Sequence, residues 1–118
     1  MEFQQILAKA QNHESFLLAN DGQYLGKLSL NNFDAESISN PYGYYGNQYS
    51  ATSIFNKYGT YGSQYSSLSP FNPYTSTPPA IYLNGQHIGY LTKNRYLGFN
   101  NVDPDQLHDW LRANNLNY

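Results

Sequence analysis

The stretch that decides the architecture runs from Ser37 to Leu68. Its first half is Ser37-Ile38-Ser39-Asn40-Pro41-Tyr42-Gly43-Tyr44-Tyr45-Gly46-Asn47-Gln48-Tyr49-Ser50-Ala51-Thr52. The second half follows without a break: Ser53-Ile54-Phe55-Asn56-Lys57-Tyr58-Gly59-Thr60-Tyr61-Gly62-Ser63-Gln64-Tyr65-Ser66-Ser67-Leu68. A third unit opens with Ser69-Pro70-Phe71-Asn72-Pro73-Tyr74 and breaks off at Thr77-Pro78-Pro79. Ser37, Ser53 and Ser69 are thus spaced by 16 residues each time. Upstream, Phe33-Asp34-Ala35-Glu36 fits the unit's tail, Tyr49-Ser50-Ala51-Thr52.

The period is shorter than that of the helical repeat families. Two glycines per unit oppose helix, and no strict alternation supports a long strand. The pattern therefore predicts a chain of turns over 37–76. Asn40, Asn56 and Asn72 stand two residues before Tyr, where an amide side chain can bond nearby backbone. Ser37, Ser53 and Ser69 point to a repeated side-chain-to-backbone bond. Gly43, Gly46, Gly59 and Gly62 are expected at positive φ or at a close backbone approach. The in-phase apolar residues Ile38, Ile54, Phe55 and Phe71 argue against a disordered low-complexity tract. Two readings of the tyrosines compete. In one, the rings form the core of a loop-rich segment and their hydroxyls tie the turns together. In the other, some rings are exposed as a platform for a sugar or another planar ligand, with Tyr42, Tyr45, Tyr58 and Tyr61 as candidates.

On either side lies a second internal match. The segment 21–33, Asp21-Gly22-Gln23-Tyr24-Leu25-Gly26 onward, aligns without gaps on 84–96, Asn84-Gly85-Gln86-His87-Ile88-Gly89 onward. Asp-Gly and Asn-Gly between apolar runs are strong hairpin signals. Ser15–Ala19 should pair with Gln23–Ser29, and Ala80–Leu83 with Gln86–Thr92. Lone hairpins are marginal, so two alike predict one four-stranded antiparallel sheet with pseudo-twofold symmetry. The hairpin regions are 15–33 and 80–96, and the repeat is the crossover between them. Helices are expected at both ends. Over 1–12, Phe3, Ile6, Leu7 and Ala10 recur at helical spacing. Over 103–115, Asp103 is an N-cap, Pro104 takes the first helical position, and Leu107, Trp110 and Leu111 form one face. The expected class is α+β: a small antiparallel sheet from two similar β-hairpins, a Tyr/Gly-rich turn-repeat insert and a short helix at each end of one domain.

The bulk numbers narrow the function. The chain has 118 residues, a formal net charge of −2 and only 12% charged residues, with 13 Tyr and no Cys. Disulfides and thiolate metal sites are excluded. Six basic residues give no footprint for nucleic acid, and no stretch is long and apolar enough to insert in a membrane. With no signal peptide, the sequence as written reads as cytoplasmic and soluble; a removed leader would make it secreted. His13, His87 and His108 fall in unrelated contexts. Asp21 is explained by a turn and Asp103 by a cap. The pairs Asp34/Glu36 and Asp103/Asp105 match no calcium-loop spacing, and no opposed carboxylates stand out for hydrolysis. No cofactor, metal or catalytic residue is assigned.

The units "NPYGYYGNQYSATSI" and "NKYGTYGSQYSSLSP", with "DGQYLGKLS" before and "PPAIYLNGQHIGYLTKN" after, resemble a group of uncharacterised bacterial proteins common in cyanobacteria. Those carry tandem Asn-x-Tyr-Gly-x-Tyr-Gly-Ser-x-Tyr-Ser units. The resemblance covers about Asp21 to Asn94 and implies no activity. The expected function is a non-catalytic interaction or scaffold protein with a protein partner or self-association. The alternatives are a carbohydrate-binding module using the repeat tyrosines and, last, a small hydrolase.

Overall fold

The computed structural model describes residues 1–98 and 100–117. The element order is α1 (Phe3–Gln11), β1 (Phe16–Leu18), β2 (Tyr24–Lys27), β3 (Ala80–Leu83), β4 (Gln86–Leu91), β5 (Asn101–Val102), a 3-10 turn (Pro104–Gln106) and α2 (Leu107–Ala113). The sheet order is β2-β1-β3-β4-β5. Both hairpins form, and they join through antiparallel pairing of β1 with β3, Leu17 opposite Ile81. That pairing puts the two first strands at the centre and relates the hairpins by an approximate twofold axis. The fold is α+β, as expected from the sequence. The sheet, however, is mixed, because β5 adds to β4 in parallel.

The two hairpin turns differ. Asn84 (φ 52) and Gly85 (φ 84) are both left-handed, the conformation of a two-residue type I′ loop. In the turn of the first hairpin only Gly22 is left-handed, at φ 90. There Gly22 donates its N–H to the Ala19 carbonyl at 2.9 Å, and Gln23 donates its own to Asp21 Oδ1 at 3.1 Å. This is a longer loop, closed by a β-turn with glycine at its end.

The sheet buries both faces. On one side Phe16 and Tyr24 pack with Ile6 of α1. Lys9 fastens that helix: its ammonium lies 5.0 Å from the centre of the Tyr24 ring and reaches Glu36 at 2.8 Å. Of the expected apolar face, Ile6 is buried and Ala10 packs, but Phe3 and Leu7 are exposed. The layer beneath α1 is one small aromatic cluster, too narrow to cover the full stripe. On the other side Leu17, Leu25, Ile81 and Leu91 meet Ile38 and Ile54 of the repeat and Leu107 and Leu111 of α2. Asp103 caps the turn into α2 by accepting the Asp105 N–H at 2.9 Å, and Trp110 packs partly buried against the core.

Residues 34–77 form a ribbon of consecutive β-turns. A carbonyl accepts the N–H three residues on, and that residue starts the next turn: Ser37 to Asn40, Asn40 to Gly43, Asn47 to Ser50, Ser50 to Ser53 and Ser53 to Asn56. One step per unit is a residue longer, from Gly43 to Asn47 and from Gly59 to Ser63. Four short steps and one long step make up the repeat of 16 residues.

Side chains supply the rest of the bonding. Each Ser or Asn that starts a turn accepts the N–H two residues on, as Ser37 does from Ser39 and Ser53 from Phe55, both at 3.0 Å. The asparagines also donate backwards across two turns. Asn40 Nδ2 reaches the Asp34 carbonyl (3.1 Å), Asn56 the Ser50 carbonyl (3.1 Å) and Asn72 the Ser66 carbonyl (3.2 Å). These side chains satisfy backbone groups that no helix or sheet ladder serves.

The ribbon starts on the sheet. Lys27 at the end of β2 donates its N–H to the Glu36 carbonyl at 2.7 Å and accepts that of Ile38 at 3.0 Å. It ends on the second hairpin's tail, where Asn94 Nδ2 donates to the Thr75 carbonyl at 2.9 Å. The internal match between the flanking motifs is therefore structural. Ser29 and Thr92 each accept the N–H two residues on at 3.0 Å, and Asn31 and Asn94 do the same at 2.9 and 3.0 Å.

None of Gly43, Gly46, Gly59 and Gly62 has positive φ. What they serve is close approach. A Cβ on Gly46 would fall on the Asn40 carbonyl oxygen, and one on Gly62 on that of Asn56. The long step swings the backbone of these residues onto the turn before.

Candidate functional site

The ribbon separates its side chains by phase. The residue one past the first serine of each unit points inward, and Ile38, Ile54 and Pro70 are fully buried. An aromatic two past an Asn or Ser start points outward in seven cases. Phe33, Tyr42, Tyr49, Tyr58, Tyr65, Tyr74 and Tyr96 are between 81% and 95% exposed. Each donates its backbone N–H to the side chain that starts its turn, over 2.8 Å for Tyr49 to 3.2 Å for Tyr65. The backbone under each ring is held while the ring stays free.

Six of these rings fall into two series at the repeat spacing, Tyr42, Tyr58 and Tyr74, and Phe33, Tyr49 and Tyr65, while Tyr96 lies on the second hairpin's tail. The reading in which the repeat tyrosines form a core is corrected here. Ser and Asn side chains hold the ribbon together, and most Tyr rings lie outside it.

Of the four sequence candidates, Tyr42 and Tyr58 belong to the exposed array. Tyr45 and Tyr61 do not. Tyr45 packs edge-on against Tyr24, centroids 5.1 Å apart at 85°, and Gly26 makes room for it, since a Cβ there would come within 2.7 Å of Tyr45 Cβ. Tyr61 packs against the core and donates its hydroxyl to Asp21 Oδ2 at 2.7 Å. Burial first, and then this hydrogen bond and the Asp21 charge, push the Tyr61 phenol up to about 12. Tyr49, Tyr65, Tyr74 and Phe33 join the surface without having been singled out. Their signal is the phase, an aromatic two residues past Asn or Ser.

The rings border grooves. The first is lined by Phe33, Ile38, Pro41, Tyr42, Gly46 and Phe55, with Asn32 and His108. The second is lined by Ile54, Phe55, Lys57, Tyr58, Gly62 and Phe71, with Gln64, Tyr65 and the Lys93/Asp105 pair. Six lining positions of the first, namely Ile38, Ser39, Pro41, Tyr42, Gly46 and Phe55, have their repeat equivalents in the second. Phe55 lines both. A smaller recess beside Pro73, Tyr74, Asn94 and Tyr96 continues the series.

Several ionisable groups are engaged in structure. Asp34 accepts the Glu36 N–H and pairs with Lys27 at 2.9 Å; these two bonds, the backbone one first, hold its carboxyl below the usual range. Lys93 bridges Asp103 and Asp105. His13 stands at the end of α1, exposed His87 lies in β4 between Tyr82 and Tyr90, and exposed His108 lies in α2. Among the described residues no group of three or more His, Asp or Glu could hold a metal ion, and no helix is long and apolar enough to cross a membrane. Comparison with protein-family models, curated proteins and solved structures finds no match to this chain.

Proposed function

We propose that this is a non-catalytic binding or scaffold protein whose recognition surface is the outer side of the turn ribbon. The observation that carries this reading is the array of seven exposed aromatics on hydrogen-bonded turn corners. Pairs of these rings border common grooves, Phe33 with Tyr42, Tyr58 with Tyr65 and Tyr74 with Tyr96, and exposed apolar surface gathered in this way marks interaction sites. Tyrosine suits the task because it offers a large amphipathic surface with few rotatable bonds, so little entropy is lost on contact. The ribbon's Tyr, Ser, Gly and Asn are also the residues that dominate antibody-type binding loops, for the same physical reasons. The grooves between the rings supply concave surface with an apolar floor and polar rims, the usual form of a binding site.

The test is site-specific photo-crosslinking in the source cells. A photoreactive phenylalanine analogue is placed at Tyr58, at Tyr65 or, as a control, at exposed Gln4 of α1. Adducts from the two ribbon positions, and none from Gln4, are expected. Equal labelling at all three, or none at the ribbon, overturns the reading. Light scattering of the same material shows whether the captured partner is a second copy.

A further inference from the structure

We propose that the two grooves flanking Phe55 are repeated subsites for one uncharged polysaccharide chain. This rests on the ribbon being the binding face. The second groove is the first carried one unit along the ribbon: Tyr58 replaces Tyr42 as the wall, and Ile54 and Gly62 replace Ile38 and Gly46 as the floor. Phe55 is the partition, lining both. A ligand making the same contacts in both grooves must itself repeat.

Its chemistry follows from the lining. The first groove holds no Lys, Arg, Asp or Glu. In the second, Lys93 is neutralised by Asp103 and Asp105, and Lys57 is the one cation of that lining with no ion pair among the described residues. A polyanion such as nucleic acid needs several cations along its track, so the polymer is neutral. The side chains of Asn32 and Gln64 make no hydrogen bond among the described residues, and they sit at the first and second groove respectively. An amide both donates and accepts. A hydroxyl does both as well, and a neutral polymer edged with hydroxyls is a glycan. The C–H face of a sugar ring then meets the electron-rich face of Tyr42 or Tyr58. A proline-rich peptide, the competing neutral repeat, offers only carbonyl acceptors along its backbone and would leave half of each amide unused.

The test incubates the full chain with insoluble cellulose, chitin and starch, followed by calorimetry with oligosaccharides of any polymer that retains it. Retention by at least one is expected. A six-sugar oligomer should bind about tenfold or more tighter than a two-sugar one, because it reaches the second groove. Tyr42→Ala and Tyr58→Ala should each weaken the longer ligand about tenfold with the thermal midpoint unchanged. If no polymer retains the chain, while a polyproline peptide binds and is lost in the same variants, the glycan inference falls and the binding-face reading survives. If a polymer binds but neither substitution weakens it, the subsites and the binding face both fall.

Discussion

Asn56 donates its side-chain amide to the Ser50 carbonyl at 3.1 Å and accepts the Tyr58 N–H on its Oδ1 at the same distance. One side chain thus serves two backbone groups on opposite sides of it, and only an amide of this length can do both. Aspartate keeps the acceptor and loses the donor. Serine keeps a near acceptor and loses the reach. Asn56→Asp should therefore leave the Ser50 carbonyl with the Ser53 N–H as its one remaining donor, at about 1 kcal/mol, read as a lower denaturation midpoint in urea. Asn56→Ser should lose a similar amount without the added charge. A midpoint equal to that of the parent for both variants would show that the ribbon does not depend on the amide bridge.

Much of this was legible beforehand, because local chemistry writes it. The hairpins follow from Asp21-Gly22 and Asn84-Gly85, and the turn chain from the spacing of Ser and Asn. The parallel strand at Asn101-Val102 was not legible. Two residues carry no periodicity, and the strand exists because Gly89 lets the backbone at Asn100 lie against β4. Nor did composition say which tyrosines face outward. Tyr58 lies in the short turn that starts at Asn56 and Tyr45 in the long step that starts at Gly43, and Tyr45 meets a gap left by Gly26 where Tyr58 meets solvent. That difference belongs to the sheet beneath.

Gly62 shows how little slack the long turn has. A Cβ there overlaps the carbonyl oxygen of Asn56, with that of Ile54 at 2.6 Å. Both are backbone atoms, and the Asn56 carbonyl accepts the Gly59 N–H at 3.1 Å, so it cannot move without breaking that hydrogen bond. Gly62→Ala should cost about 3 kcal/mol or more. Gly59→Ala meets only side-chain atoms of Asn56, with Nδ2 at 3.1 Å and Cγ at 3.2 Å, and should cost about 1 kcal/mol. Chemical denaturation of the pair measures the gap. Equal midpoints would mean that the ribbon relaxes around the new methyl.

The tyrosines should divide in the same way when truncated. Tyr42→Ala, Tyr58→Ala and Tyr74→Ala remove rings that are 90% exposed or more, and stability should change by less than about 0.5 kcal/mol. Tyr45→Ala removes the edge-on contact with Tyr24 and opens a gap above Gly26. It should cost about 2 kcal/mol. Thermal unfolding of the four variants separates surface from structure. A large loss in the first three would deny that those rings are free for binding.

The Tyr61 phenol gives the fold a pH signature at its alkaline end. Burial and Asp21 raise it from 10.0 to about 12, so the folded state favours the protonated form more than the unfolded chain does. Its contribution to stability is therefore fully present below about pH 10. It is lost as the pH climbs towards 12, where the folded phenol itself ionises. Ultraviolet titration of phenolate absorbance should show a late-titrating tyrosine that disappears in Tyr61→Phe and moves earlier in Asp21→Asn. Asp21→Asn keeps an acceptor for the hydroxyl and removes the charge, so the size of that move separates the charge from the hydrogen bond. If the late step survives Tyr61→Phe unchanged, the raised phenol is a different one. The obvious candidate is Tyr24, which burial raises strongly, assisted by the Glu36 charge and hydrogen bond.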